Sequence, residues 1–179
     1  MELKNILRID PLFCPSLQQQ REIWDKRYHV CSEEPESLPL VLSCFNLLKP
    51  SSVSEAHHLL KFLEEEHSFV LPLPSALKML DCSFQDQMIR DFAVSKLENI
   101  SDQDLVKYSL QLVQALKFER DHFSKLAKFL IQKSIKSELV FHSIFWLIKG
   151  KKKNLFKFFF FKIYFFQFIF LNLFFHFFF

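Results

Sequence analysis

DQMIRDFAVSKLENISDQDLVKYSLQLVQAL, residues 86–116, contains two helices together with their start signals. Asp86 precedes an apolar stripe at Met88, Ile89, Phe92, Ala93 and Leu97. Its short carboxylate can accept hydrogen bonds from the amides a helix leaves unpaired in its first turn. Ser101 followed by Asp104 repeats the cap, and Leu105, Tyr108, Leu112 and Leu116 then recur at helical spacing. Each helix has one oily side and one charged side, so each needs a neighbour to cover it.

The same grammar extends in both directions. Downstream, Phe123, Ala127, Leu130 and Ile131 form one stripe, and Leu139, Val140, Ile144, Leu147 and Ile148 form another. Upstream, Ser75 is placed to cap a short helix carrying Leu77 and Leu80. Ser52 with Glu55 has capping-box spacing ahead of Val53, Ala56, Leu60 and Leu63, a helix running to Glu66. Between these two helices, His67 to Pro74 is a more apolar insertion, expected to fold onto the core rather than bind a partner. Residues 1–50 carry prolines at 11, 15, 35, 39 and 50, a spacing that interrupts long helices. One short helix is expected at Gln18–Tyr28, an acidic solubilising turn at Ser32–Glu36, and an extended apolar piece at Ser37–Leu42.

The expected fold is therefore all-α, a partial antiparallel helix-pair α-solenoid (an armadillo-like superhelix) with an irregular N-terminal segment. The expected organisation is an irregular linker at 1–50, a helical domain at 51–149 and a Phe/Lys-rich tail at 150–179.

Composition removes many chemistries. The chain has 179 residues and one glycine, Gly150. Dinucleotide-binding, P-loop, kinase glycine-loop and nucleophile-elbow motifs each need at least two, so none is present. The formal charge of +3 arises in the tail, because residues 1–149 hold 18 basic against 20 acidic groups. That balance gives no reason to expect nucleic-acid binding. Cys14, Cys31, Cys44 and Cys82 lack metal-knuckle spacing and the N-terminus lacks a signal segment, so reduced thiols and a cytoplasmic location are expected.

The tail reads in two ways. Of 25 Phe, 14 lie between Phe156 and Phe179, and residues 163–179 are uncharged, at the short limit for a membrane span. The preferred reading is that 150–179 is non-native read-through, because Phe, Lys, Ile, Asn, Leu and Tyr are what AT-rich nucleotide sequence encodes. Membrane contact is then expected only through 163–179, if that segment is protein at all.

No catalytic, cofactor-binding or metal-binding residues are expected. Adjacent His57 and His58 diverge by about 100° on a helix and cannot face one ion. His122 and His142 read as lone surface histidines, and Glu64, Glu65 and Glu66 as the wetted end of a helix.

Residues 75–149 resemble the helical accessory domain of phosphoinositide 3-kinases. The anchors are Leu80, Asp81, Asp86, Arg90, Phe92-Ala93-Val94, Leu97, Tyr108, the run Gln111-Leu112-Val113-Gln114-Ala115-Leu116-Lys117, Glu119, Phe129-Leu130 and Phe145-Trp146. Gln85, Phe118 and Ser109 replace the proline, tyrosine and leucine common there. Trp24, Lys26-Arg27-Tyr28 and Leu38-Pro39-Leu40-Val41-Leu42 are similar to the segment leading into that domain, most closely in class II enzymes. The resemblance implies a scaffold that holds a kinase domain against lipid-binding and Ras-binding modules. The kinase apparatus lies downstream of this domain in the family, so the chain as written is expected not to be an enzyme. Arg90 and Asp91 fall mid-helix and do not form a catalytic loop. A tail-anchored interaction module and a shortened gene model of an active lipid kinase are the alternatives.

Overall fold

The computed structural model describes residues 15–45, 49–66, 69–121 and 123–149. The readings placed on Cys14, His67, His122 and the 150–179 tail lie outside these residues. Every regular element among the described residues is helical, and no helix among them is long and apolar enough to cross a membrane. The chain divides into two compact units, Met1–Leu97 and Glu98–Phe179.

The first unit contains α1 (Leu17–Asp25), α2 (Arg27–Glu33), a 3₁₀ turn (Pro35–Ser37), α3 (Leu38–Ser43), α4 (Pro50–Glu65), α5 (Leu73–Lys78) and α6 (Gln87–Lys96). Its core is aliphatic: Ile23, Leu38, Val41, Leu59, Leu60, Leu63, Met79 and Ile89 are fully enclosed. Ser16 opens α1 with a reciprocal capping box, accepting from the Gln19 amide while the Gln19 side chain accepts from its own.

Three local expectations change here. Ser37–Leu42 is helical, as are most of the described residues of the segment expected to be irregular. A short apolar run does not distinguish a buried strand from a buried helix. Pro39 stands in the first turn of α3, where a missing amide proton costs nothing, and Leu38, Pro39, Val41 and Leu42 are all buried. Likewise α4 starts at Pro50, so Ser52 lies inside the first turn and makes no cap. In α5 the first turn holds Pro74, and Ser75 is internal, its hydroxyl donating to the Glu36 carbonyl at 3.2 Å. The 69–74 segment does fold inward: Phe69 and Leu71 are buried while Val70 is exposed. Phe69 packs near Phe92, and the Lys96 ammonium lies over both rings at 5.3 and 4.9 Å.

The second unit contains α7 (Asp102–Ala115), a 3₁₀ turn (Leu116–Phe118), α8 (Lys125–Lys136) and α9 (Glu138–Lys149). The α9 helix packs against both α7 and α8. Leu105, Leu112, Leu126, Leu130, Val140, Ile144 and Ile148 form the core. Ser101 caps α7 as its spacing predicts, accepting from the Asp104 amide at 3.2 Å. Asp104 in turn takes a hydrogen bond from Lys107 at 2.9 Å, which with the Ser101 hydroxyl lowers its carboxyl below the ordinary range. Two positions of the expected stripes face water instead: Phe123 lies before the N-cap of α8, and Leu139 is on the outer side of α9.

Candidate functional site

Among the described residues no three His, Cys, Asp or Glu side chains come together as a metal ion would need. The groups weighed as sites are distributed instead as structural ties. His57 donates from Nε2 to Asp86 Oδ1 at 2.9 Å, and the same oxygen accepts from the Met88 and Ile89 amides at 3.0 and 3.1 Å. The Asp86 cap thus also fastens α4 to the start of α6. His58 is exposed, and His142 accepts from Trp146 Nε1 at 2.9 Å on the surface of α9. Glu64 and Glu65 are solvent-facing, and Glu66 accepts from the Ser32 hydroxyl. Asp86→Ala removes an acceptor for two helix amides and a histidine, and should cost about 1–2 kcal/mol. Chemical denaturation beside Asp86→Asn, which keeps one acceptor oxygen, measures it. Equal stability of Asp86→Ala and the parent protein would remove the cap from this account.

Arg90 is the largest side chain that is fully enclosed, with 1% of its surface accessible. Its Nη1 donates to three main-chain carbonyls, those of Leu80 at 2.9 Å, Asp81 at 3.3 Å and Phe84 at 3.2 Å. Those carbonyls belong to the turn joining α5 to α6, where the backbone closes no regular ladder. The guanidinium supplies several donors in a fixed plane and so holds the turn from inside. Arg90 shares a helix face with Ala93, Val94 and Leu97, all buried, and that spacing was the available signal for its burial.

A second tie joins α1, α2 and α4. Glu55 Oε2 accepts from Trp24 Nε1 at 3.1 Å and pairs with Arg27 Nη2 at 3.2 Å. Arg27 also donates to the Trp24 carbonyl and lies 4.8 Å from the Trp24 ring centroid and 5.0 Å from that of Tyr28. Trp24 stacks on Phe45, and Tyr28 meets Phe62 edge-on.

In the second unit, Ser109 is buried and its hydroxyl donates to the Val106 carbonyl at 2.7 Å. Its oxygen lies 2.9 Å from the Ser143 hydroxyl on α9. Because the Ser109 proton is already engaged, Ser143 is the donor of that pair. A small hydroxyl is accommodated here because a second one faces it.

Two thiols, Cys31 and Cys44, are inert by environment. Cys31, Cys44 and Cys82 are free. Burial pushes the Cys31 thiol up to about 12, with a smaller opposing effect from the Ser37 hydroxyl, and pushes Cys44 up to about 11. A thiol raised in the folded state from an ordinary 9.0 favours folding while neutral. Unfolded Cys31 loses its proton first as pH rises, so this contribution falls between pH 9.0 and about 12. Cys31→Ala should flatten the alkaline decline in stability, and an unchanged slope would refute the linkage. In native protein at mildly alkaline pH, maleimide should label exposed Cys82 well before Cys31.

Residues 1–157 match the phosphoinositide 3-kinase family accessory domain (PIK domain). The chain belongs to this family. It is 38% identical over 151 residues to the human phosphatidylinositol 3-kinase C2 domain-containing subunit gamma, covering 83% of the chain and 10% of that relative. It is 34% identical over 154 residues to the human phosphatidylinositol 4-phosphate 3-kinase C2 domain-containing subunit beta, covering 86% of the chain and 9% of the relative. Against phosphatidylinositol 3-kinase 1 of Dictyostelium discoideum it is 34% identical over 147 residues, covering 82% and 9%. The chain thus spans about a tenth of the length of the curated relatives it matches. Trp24, Arg27, Asp86 and Arg90, four of the residues that carry the resemblance, each take part in the ties described above.

Proposed function

We propose that the chain acts as a scaffold, a phosphoinositide 3-kinase accessory domain that positions a lipid kinase domain and performs no phosphoryl transfer itself. The observation that carries this reading is the use made of its polar groups. Arg90, Asp86 and Glu55 are each committed to backbone amides, backbone carbonyls or side chains of neighbouring helices. Phosphoryl transfer needs phosphate-cradling amides, a lysine on the phosphates and carboxylates that hold Mg²⁺. The finer architecture we infer is a partial antiparallel α-solenoid, supported by successive amphipathic helices that each bury one side. Its partners on this reading are the kinase and lipid-binding domains of a parent enzyme.

Two measurements test it. The purified chain with ATP, Mg²⁺ and phosphatidylinositol should yield no 3-phosphorylated lipid. The human gamma relative carrying this chain's residues 15–149 in place of its own accessory domain should keep lipid kinase activity within about tenfold. Lipid product from the chain alone, or a folded but inactive chimera, would overturn the scaffold reading.

A further inference from the structure

From Lys125 to Ser137 the chain contains no acidic residue. The α8 helix buries Leu126, Ala127, Phe129, Leu130, Ile131 and Ser134, with Phe129 at the edge of the buried side next to Lys136. At about 100° per residue, positions 125, 128, 132, 135 and 136 fall together on the opposite side. Lys128, Gln132, Ile135 and Lys136 are exposed there and Lys125 is half-buried. Lys133 is off this stripe, donating to the Ile100 carbonyl at 3.0 Å. Three ammonium groups therefore stand along about 16 Å of one helix face. An apolar side chain sits near either end: Phe123, 50% exposed, ahead of the helix, and Ile135, 47% exposed, in its last turn. The nearest acids in sequence, Glu119, Asp121 and Glu138, lie beyond the two ends.

We propose that this face of α8 docks on an anionic bilayer surface, with Phe123 and Ile135 entering the headgroup layer. Charge complementarity selects an anionic occupant, and the residue types select among anionic ones. Lysine is a compact charge suited to a diffuse anionic surface, whereas carboxylates of a protein partner are met best by arginine forks, which the stripe lacks. Because the apolar side of α8 is committed to the core, the attraction is electrostatic, about 1 kcal/mol for each lysine brought to an anionic leaflet. The inference goes beyond the scaffold reading and does not depend on it.

The test is co-sedimentation of the full chain with vesicles of phosphatidylcholine alone or with about 30% phosphatidylserine. Three lysines contributing about fivefold each should favour the anionic vesicles by roughly a hundredfold. Lys125→Gln/Lys128→Gln/Lys136→Gln should lower the full chain's preference for anionic vesicles by that factor, and about 0.5 M salt should weaken it strongly. The matching triple arginine substitution should retain it. Ile135→Ser should lower binding several-fold while leaving the salt dependence intact. Binding through the Phe-rich tail, which carries Lys151, Lys152, Lys153, Lys157 and Lys162, would also favour anionic vesicles but would be insensitive to the three α8 substitutions. Equal partition of parent and triple-glutamine proteins would overturn the proposal. So would retention on polyglutamate or RNA in preference to anionic vesicles, which would assign the stripe to a protein or a nucleic acid.

Discussion

Arg90→Met should destabilise the first unit by about 3–5 kcal/mol, the largest effect expected of any single substitution in the chain. Methionine roughly fills the volume of the arginine stem but offers no donor. The carbonyls of Leu80, Asp81 and Phe84 would lose a charged partner that now reaches all three from one nitrogen. A buried carbonyl left without a partner retains the full cost of its lost hydration, although the Asp81 carbonyl keeps the Phe84 amide at 3.2 Å. Arg90→Lys keeps the charge without the planar fork, and a loss of about 2 kcal/mol is expected. Urea midpoints for the two variants against the parent protein measure both. If Arg90→Met remained within about 1 kcal/mol of the parent, the turn would have to be held by other means.

Leu112→Ala should cost about 2–5 kcal/mol in the second unit. Leu112 has no accessible surface, and its helix α7 packs along α9. Removing three carbons there loses their transfer free energy and opens a cavity that α9 can only partly fill. Two neighbours control for changes in helix propensity. Leu110 is 42% exposed, so Leu110→Ala should cost under about 1 kcal/mol, and Gln111→Ala on the outer face should be close to neutral. Equal losses at 110 and 112 would show that α7 is not oriented as described.

The helical class and most of the buried stripes were legible in the sequence because they depend on local periodicity. The caps at Asp86 and Ser101 were legible for the same reason: one short side chain and the amides two or three residues later settle the matter. Ser52 and Ser75 show where that logic fails. Each sits near a serviceable capping pattern, but Pro50 and Pro74 stand ahead of them and can occupy a first turn without loss, so the helices begin earlier. The Leu38–Ser43 helix was illegible because an unbroken apolar run suits any buried conformation. Arg90 was placed in its helix correctly, but its grip on the 80–84 carbonyls is a tertiary contact that no spacing announces. The lysine stripe on α8 was hidden by averaging, since residues 1–149 taken together are slightly acidic.

The Glu55 tie constrains how this chain can change over generations. One carboxylate oxygen serves both Trp24 and Arg27, which lie 31 and 28 residues upstream on two other helices. Loss of Glu55 strands two partners at once, whereas loss of either partner leaves the other in place. Positions 24, 27 and 55 should accordingly be inherited as a set, with lineages that replace the glutamate also replacing the arginine.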